Sequence, residues 1–379
     1  MIDTPALIHE LQQRGVALFT GVPDSLLQSF SACLQNEITL HQHIIAANEG
    51  NAVALAMGHY LATGRPAVVY MQNAGLGNTV NPLTSLADPE VYGVPMLLVI
   101  GWRGAPGTKD EPQHVKQGRI TCGQLELLEI PHWVMDEKTD IHAVLDAAWQ
   151  VMHSGRPAAL VVRAGSLSEV KLNPTPQSAD APGLRREEAI DHLLNLLDEQ
   201  DCVVATTGKT GRELFELRER RGEAQHDFLT VGGMGHTASL ALGIALAQPR
   251  RRVVCLDGDG SLLMHLGAMP IIGDLKPSNL LHVLLNNRAH ESVGGQPTVA
   301  GSVDFAALAV ACGYVGHFAV RTLADIDQVL AHLLATLPSG PVLLEIHLTQ
   351  GSRPNLGRPT RTPQENKEAV MTHLGVYSG

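Results

Sequence analysis

Two short polar motifs, each placed directly after an apolar run, constrain how the second half of this chain can fold. The motif GDGS at 258–261 follows the run VVCL at 253–256, and the pair NN at 286–287 follows the run HVLL at 282–285. Runs of this length and composition are typical of buried strands. Because the carboxyl ends of neighbouring parallel strands meet at one edge of a sheet, we expect the two motifs to lie together in a parallel α/β domain.

The residue types in these motifs favour a site for a divalent cation and a diphosphate. Asp259 and Asn287 offer hard oxygen ligands of the kind that Mg²⁺ prefers. Gly258 and Gly260 have no side chain, so backbone N–H groups can approach phosphate oxygens there. GDG alone is also ordinary turn composition. The second motif, 25 residues further along, makes the cation site the favoured interpretation.

The same alternation of strand and helix patterns occurs on both sides of a segment rich in Pro, Ser and Asn at 171–186. We predict a first domain at 1–170, a linker at 171–186 and a second domain at 187–379, both of the doubly wound parallel α/β class. The predicted strands are 16–20, 43–47, 67–71, 96–100 and 160–163, then 202–206, 252–256, 281–285 and 342–346. Helix patterns cover 51–61 and begin near Arg212, Thr237, Phe305 and Thr322.

Composition excludes several classes of partner. No run of 18 apolar residues occurs, and the first residues lack the pattern of a signal peptide, which predicts a cytoplasmic protein that does not enter a membrane. The net charge of −11 argues against binding to nucleic acid. Five scattered cysteines, none spaced C-x-x-C, indicate neither a disulfide framework nor a zinc site.

Glu49 is the candidate functional residue of the first half. It is the only charged residue of the segment HIIAANEGNAVALAMG at 43–58, where a strand pattern runs into an alanine-rich helix. Close packing of such a helix would leave the carboxylate poorly hydrated and suited to sharing a proton with a ligand. The alternative is an ordinary first-turn glutamate favoured by the helix dipole. The GDG and NN motifs elsewhere in the chain favour the functional interpretation.

With these motifs the chain resembles the thiamine diphosphate-dependent enzymes. The segments YMQNAGLGNTVNPL, GWRGAPGTKDEPQHVKQGR, GGMGHTASLALGIAL, NNRAHESVGGQPT and LGRPTRTPQENK are similar to those of the phosphonopyruvate decarboxylase family, with the sulfopyruvate decarboxylases as close relatives. The resemblance spans nearly the whole chain. It implies a pyrimidine-binding first domain, a diphosphate-binding second domain and, because the linker is short, no middle domain.

The resemblance also implies an activity. We expect a lyase that uses thiamine diphosphate and Mg²⁺ to decarboxylate 3-phosphonopyruvate to phosphonoacetaldehyde and CO₂ in phosphonate biosynthesis. Sulfopyruvate or another 2-oxo acid is the alternative substrate. The family builds its sites between subunits, which implies a homodimer or a higher homo-oligomer.

Site residues follow from the resemblance position by position. Glu49 would hydrogen-bond N1′ of the pyrimidine and promote removal of the proton at C2. Asp259, the side chain of Asn287 and the backbone carbonyl of Ala289 would bind Mg²⁺. Met234 would support the bent cofactor. The implied cofactor-binding residues are Glu49, Gly208, Gly233, Met234, Gly235, His236, Gly258, Asp259, Gly260, Ser261, Asn287 and Ala289.

The chain departs from the pyruvate decarboxylases at one position. Val293 stands where those enzymes carry a glutamate a few residues after NN. Proton handling after decarboxylation must then use other groups. His290 and His114 are the first candidates because imidazole titrates near neutral pH, and His236 and Glu291 are further ones. Each could equally be a structural residue.

An anionic substrate needs local cations in a chain of net charge −11. Lys109 and Lys116 lie in the Gly-rich segment 101–119, which we predict to be a mobile loop. Arg353 and Arg358 lie in the segment 352–361, and the planar guanidinium suits a phosphonate. A solvated loop is the alternative interpretation for each of these cations.

Two other functions fit the sequence less well. TGKTG at 207–211 lies between a strand and a helix, as a P-loop does, but Val203 occupies the position of the first glycine that the P-loop motif requires. Lys209 and Thr210 are then expected to border an anion. A binding protein without activity is disfavoured because Glu49, Asp259 and Asn287 are all present.

Overall fold

The computed structural model describes residues 1–173 and 183–376. The chain divides into two compact units, the first comprising 1–174 and 292–296 and the second 175–291 and 297–379. Most of the predicted linker, 174–182, lies outside the described residues. The boundaries predicted for the two domains therefore stay predictions.

Unit 1 is a parallel six-stranded sheet with helices on both faces. Its elements are α1 (Thr4–Gln13), β1 (Leu18–Gly21), α2 (Gln28–Glu37), β2 (His43–Ile45), α3 (Glu49–Thr63), β3 (Ala67–Gln72), α4 (Leu76–Pro82), β4 (Met96–Gly101), α5 (Pro112–Leu127), β5 (His132–Met135), α6 (Ile141–His153) and β6 (Ala158–Val162). The strand order is β2-β1-β3-β4-β6-β5. The inner strands β3, β4 and β6 are almost continuously apolar because helices cover both of their faces.

Unit 2 repeats this architecture. Its elements are α7 (Arg186–Leu194), β7 (Cys202–Ala205), α8 (Lys209–Arg220), β8 (Phe228–Leu229), α9 (Thr237–Ala247), β9 (Val253–Gly258), α10 (Asp259–Met264), α11 (Ala268–Leu275), β10 (Leu280–Asn286), β11 (Ala289–His290), α12 (Phe305–Ala311), β13 (Gly316–Val320), α13 (Leu323–Thr336), β14 (Val342–His347) and α14 (Pro363–His373). The chain also contains the short strand β12 (Gln296–Pro297). The sheet order is β13-β14-β10-β9-β7-β8.

The two sheets have the same topology. If β7, β8, β9, β10, β13 and β14 are renumbered 1 to 6, the second sheet reads 2-1-3-4-6-5, which is the order of the first. Neighbouring strands within both sheets are parallel. Apolar clusters fill both faces of each sheet. The predicted class, two doubly wound α/β domains without a middle domain, is confirmed.

The register of β9 and β10 places the two polar motifs at one edge of the second sheet. Leu284 pairs with Asp257, and Leu285 pairs with Gly258 at the end of β9. Asp259 then begins α10, and Asn287 follows the last residue of β10. The GDG and NN motifs therefore lie side by side, as predicted.

Part of the predicted loop at 101–119 is helical. Helix α5 begins at Pro112, so His114 and Lys116 lie on a helix and only Lys109 lies in the preceding loop. Proline suits a first helical turn because its missing N–H has no partner there in any case. Helix α8 also begins three residues before the predicted Arg212, at Lys209. Within the described residues, no helix is both long and apolar enough to cross a membrane.

Candidate active site

Glu49 lies at the start of α3 in unit 1, where Asn48 caps the helix by accepting a hydrogen bond from the backbone N–H of Gly50. The glutamate side chain is completely buried. Its Oε2 accepts a hydrogen bond of 2.7 Å from Nδ2 of Asn78. Among the described residues, no hydrogen-bond donor reaches Oε1. A buried carboxylate with one unpartnered oxygen is suited to bind a group that shares a proton.

Gly75 makes room for this carboxylate. A Cβ built at Gly75 would lie 2.5 Å from Oε1 of Glu49. Any larger residue would displace the carboxylate or the short helix that Gly75 ends. Only a residue without a side chain therefore fits against Oε1 of Glu49 at this position.

Asp259 is the centre of the candidate site in unit 2. Its carboxylate is buried and accepts hydrogen bonds from the hydroxyl of Thr298 and from the backbone N–H of Asn287. Burial raises the pKa of Asp259 to about 6, although these hydrogen bonds oppose the shift. The carboxylate is thus poorly hydrated and held by neutral donors, an environment that a bound cation would stabilise.

Asn287 and Ala289 lie in a tight turn beside Asp259. Between them, Arg288 has a φ of 58°, a left-handed conformation that reverses the chain after β10. Oδ1 of Asn287 accepts a hydrogen bond of 3.1 Å from the backbone N–H of Ala289. Nδ2 of Asn287 donates at 2.7 Å to Oε2 of Glu291. The turn therefore brings the three residues predicted to bind the metal next to one another, with Ala289 at the start of β11.

The predicted phosphate-binding residues surround this turn. Gly260 lies against the ring of His290, where an added Cβ would approach ring atoms to 3.0 Å. The hydroxyl of Ser261 lies 3.1 Å from that of Thr206, at the end of β7. Gly208 precedes the first residue of α8. These residues place backbone N–H groups and hydroxyls at the carboxyl edge of the second sheet.

The GGMG segment forms a turn before α9. Gly232, Gly233 and Gly235 have φ values of 71°, 55° and 81°, which side chains other than glycine rarely adopt. Met234 is half-buried between them, and the ring of His236 is exposed with Nδ1 3.1 Å from the carbonyls of Gly233 and Met234. The structure therefore gives Met234 a fixed position on a turn.

The two histidines proposed for proton handling differ in environment. Burial lowers the pKa of His290 to about 4, so this imidazole is neutral near pH 7. His290 lies next to Ala289 in the turn after β10. His114 is buried on α5 of unit 1. The structure thus places only His290 beside the predicted metal ligands within unit 2.

Glu291 belongs to a network of charges next to Asn287. Its Oε2 receives Nη1 of Arg186 at 2.7 Å, and its Oε1 receives Nζ of Lys209 at 3.1 Å. Arg186 is itself held by two hydrogen bonds of 2.7 Å from its guanidinium to Glu213. Burial opposes ionisation of Glu291, but Arg186 and Lys209 outweigh it and lower the pKa of Glu291.

The four cations proposed for the substrate are divided between the units. Lys109 and Lys116 are exposed in unit 1. Arg353 of unit 2 contacts the carboxylates of Glu187 and Glu216. Its charge is therefore already balanced, and this contact anchors the segment 352–361 to the unit. Arg358 lies further along the same exposed segment.

Comparison with known proteins identifies the family. A phosphonopyruvate decarboxylase of Streptomyces viridochromogenes is 39% identical over 381 aligned residues, which cover 96% of this chain and 93% of that protein. Residues 4–126 match the model of the thiamine pyrophosphate enzyme N-terminal TPP binding domain, and residues 207–346 match that of the C-terminal TPP binding domain. The chain belongs to the thiamine pyrophosphate enzyme family.

Two further relatives are less similar to this chain. A phosphonopyruvate decarboxylase of Streptomyces hygroscopicus is 36% identical over 96% of this chain and 92% of its own. A sulfopyruvate decarboxylase of Methanosarcina acetivorans is 27% identical over 81% of each chain. The predicted resemblance to the phosphonopyruvate decarboxylases, with the sulfopyruvate decarboxylases as more distant relatives, is confirmed.

The residues present fit the cofactor of the thiamine pyrophosphate enzymes. Unit 1 carries a buried carboxylate, that of Glu49, whose Oε1 has no hydrogen-bond partner in the part of the chain that the structure describes. Unit 2 carries a buried carboxylate, an amide oxygen and a backbone carbonyl in one turn region, at Asp259, Asn287 and Ala289. These are hard oxygen donors of the type that Mg²⁺ requires.

Several supporting residues could not be identified from the sequence. Asn78 contacts Glu49 across 29 residues of chain, and Thr298 contacts Asp259 across 39. Both lie in segments that carry the family resemblance, but nothing in either segment indicates these contacts. The sequence indicates Glu291 only as a candidate for proton handling. Its position four residues after Asn287 hints at a contact between the two side chains, but the partners Arg186 and Lys209 are brought to Glu291 only by the fold.

Proposed function

We propose that this chain decarboxylates 3-phosphonopyruvate to phosphonoacetaldehyde and CO₂, with thiamine diphosphate and Mg²⁺ as cofactors, in phosphonate biosynthesis. The observation that carries the proposal is the 39% identity to the Streptomyces viridochromogenes phosphonopyruvate decarboxylase across 96% of the chain. The buried carboxylates of Glu49 and Asp259 support it, because each has the environment that its expected role requires.

Each residue would contribute in a defined way. When bound, thiamine diphosphate supplies a carbon that accepts the electron pair released as CO₂ leaves. Glu49 would hold the proton at N1′ of the pyrimidine, because its Oε1 is shielded from water and has no hydrogen-bond partner among the described residues. Asp259, Asn287 and the carbonyl of Ala289 would hold Mg²⁺, and Gly258, Gly260 and Ser261 would border the diphosphate. Met234 would support the cofactor from its turn.

A substrate panel tests the activity. Phosphonopyruvate, sulfopyruvate, pyruvate and benzoylformate are supplied separately, and aldehyde and CO₂ are measured for each. We expect phosphonopyruvate to give the highest kcat/KM. A higher value for sulfopyruvate would replace the proposed substrate with the alternative, and no aldehyde from any acid would contradict a decarboxylase.

Discrimination between these acids is proposed to depend on the cations of the segments 101–119 and 352–361. A charge-assisted hydrogen bond contributes about 1.5–3 kcal/mol, so removing one should raise KM for phosphonopyruvate roughly ten- to hundredfold. Lys109→Met, Lys116→Met and Arg358→Met are the informative variants, with Arg353→Met expected to act mainly on stability because of its contacts with two glutamates.

The readout for these variants is the ratio of KM values for phosphonopyruvate and pyruvate. Lys138→Met, which removes an exposed lysine elsewhere in unit 1, is the matched control and should leave the ratio unchanged. If all the variants keep the discrimination of the unmodified protein, other groups recognise the substrate.

We also propose a cytoplasmic homo-oligomer, with a homodimer as its smallest unit. Helix α9 is apolar apart from Thr237 and Ser239 in its first turn, and Leu240 and Leu246 on it are 38% and 49% exposed. On α3 of unit 1, Leu61 is 68% exposed. Helices that are apolar on every side are normally covered, and a second copy would cover these surfaces. Sedimentation equilibrium measures the mass directly.

A further inference from the structure

The side-chain amide of Asn287 has a different hydrogen-bond partner at each end, and these partners fix its orientation. Nδ2 donates to Oε2 of Glu291 at 2.7 Å, and Oδ1 accepts a hydrogen bond of 3.1 Å from the backbone N–H of Ala289. The backbone N–H of Asn287 itself contacts the carboxylate of Asp259. The amide oxygen is thus the end of the side chain turned away from Glu291, in a turn whose backbone contacts Asp259.

Glu291 allows only this orientation. An ionised carboxylate can accept hydrogen bonds but cannot donate, and an amide has one donating and one accepting end. If the amide of Asn287 were reversed, its oxygen would lie 2.7 Å from a carboxylate oxygen, the present distance of Nδ2. Two acceptors at that distance repel each other, and both would lose a partner.

The carboxylate of Glu291 is itself held firmly in place. Arg186 from α7 and Lys209 from α8 bind its two oxygens, and the backbone N–H of Gly351 reaches Oε1 at 3.2 Å. Glu213 fixes the guanidinium of Arg186 from the other side. Three donors from separate segments therefore fix one carboxylate, and the carboxylate fixes one amide.

We propose that Glu291 is a positioning residue for the cation site, which holds the amide oxygen of Asn287 toward the cation that Asp259 binds. The proposal rests on the proposed Mg²⁺ site and assigns Glu291 a role other than proton handling. Residues that orient metal ligands typically change metal affinity by about 10- to 100-fold when they are replaced. A purely structural Glu291 would alter stability and leave the affinity alone.

Binding of Mn²⁺ in the presence of thiamine diphosphate measures this role without turnover, since bound Mn²⁺ loses its sharp paramagnetic resonance signal. We expect Glu291→Gln to weaken Mn²⁺ binding about 10- to 100-fold. Glu223→Gln is the matched control, because Glu223 also bridges two arginines of unit 2, Arg218 and Arg221, but has no contact with Asn287 in the described structure. Its Mn²⁺ affinity should be unchanged.

The direction in which cation affinity changes in one further variant distinguishes an effect on the orientation of residue 287 from effects on stability or on charge. Asn287→Asp adds a negative charge to the site, which alone would strengthen cation binding, but it places a carboxylate against Glu291 and should weaken binding instead. Adding Glu291→Gln to Asn287→Asp supplies an amide donor for that carboxylate and should restore much of the affinity. Since the double variant keeps any stability loss of Glu291→Gln, recovery cannot come from stability.

The outcomes distinguish this inference from the proposed function. Normal Mn²⁺ affinity in Glu291→Gln, together with weakened affinity in Asn287→Ala, would overturn the positioning role and leave the cation site intact. Unchanged affinity in Asn287→Ala would overturn the cation site itself. If Glu291→Gln does not fold, Asn287→Asp alone decides, and tighter Mn²⁺ binding in that variant would contradict the positioning role.

Discussion

Replacing Glu49 with glutamine should reduce turnover by about 100- to 10,000-fold while thiamine diphosphate stays bound, because a positioned proton-transfer group typically contributes a factor of this size. Glutamine has nearly the shape of glutamate and can keep the hydrogen bond from Asn78. It cannot exchange a proton with N1′ of the pyrimidine. The measurement is the rate of exchange of the cofactor C2 proton with D₂O, followed by NMR after acid quenching.

Two further variants make the result specific. Gly75→Ala keeps the carboxylate of Glu49 but places a methyl group 2.5 Å from its present Oε1, so we expect slower exchange here as well. Glu10→Gln, which removes a glutamate paired with Arg14 on α1 of the same unit, is the control and should exchange normally. Exchange at the unmodified rate in Glu49→Gln would show that the buried carboxylate has another purpose.

The architecture was predictable because the inner strands have a clear apolar sequence pattern. Strands β3, β4, β9 and β10 are covered on both faces, so their sequences are continuously apolar and polar residues mark their ends. In the two six-stranded sheets, the strands that the sequence did not predict, β5, β8 and β13, are all edge strands. Their residues are partly exposed, as in HWVM of β5 and GHFAV of β13, and the apolar pattern is correspondingly weak.

The candidate site was predictable only where a residue carries its own motif. Asp259 and Asn287 stand at strand ends, and the parallel topology alone brings strand ends together. Their partners come from positions that topology does not specify. Thr298 reaches Asp259 from a segment after β12, and Arg186 reaches Glu291 from the first residue of α7. Such contacts depend on the packing of whole elements, so no local pattern predicts them.

Asp259→Ala and Asn287→Ala should each abolish the joint stabilisation of the protein by Mg²⁺ and thiamine diphosphate. A ligand present at 100 times its dissociation constant stabilises the folded protein by about 2.7 kcal/mol. Loss of a metal ligand should weaken binding by more than the roughly 10- to 100-fold that outer residues contribute, and a 100-fold loss leaves only about 0.4 kcal/mol of that stabilisation. The measurement is the thermal unfolding temperature with and without Mg²⁺ and thiamine diphosphate.

Asn286→Ala is the decisive comparison, because the two asparagines of the NN motif have different partners. Nδ2 of Asn286 donates at 2.8 Å to Glu345 on β14, within the buried part of the sheet, whereas Asn287 contacts Glu291 and Ala289 in the turn. Asn286→Ala should therefore lower the unfolding temperature both with and without Mg²⁺ and thiamine diphosphate, and the increase that these ligands cause should be preserved. Asn287→Ala should abolish this increase. If both variants lose the increase equally, the motif supports the sheet as a whole, and Asn287 has no separate role as a ligand.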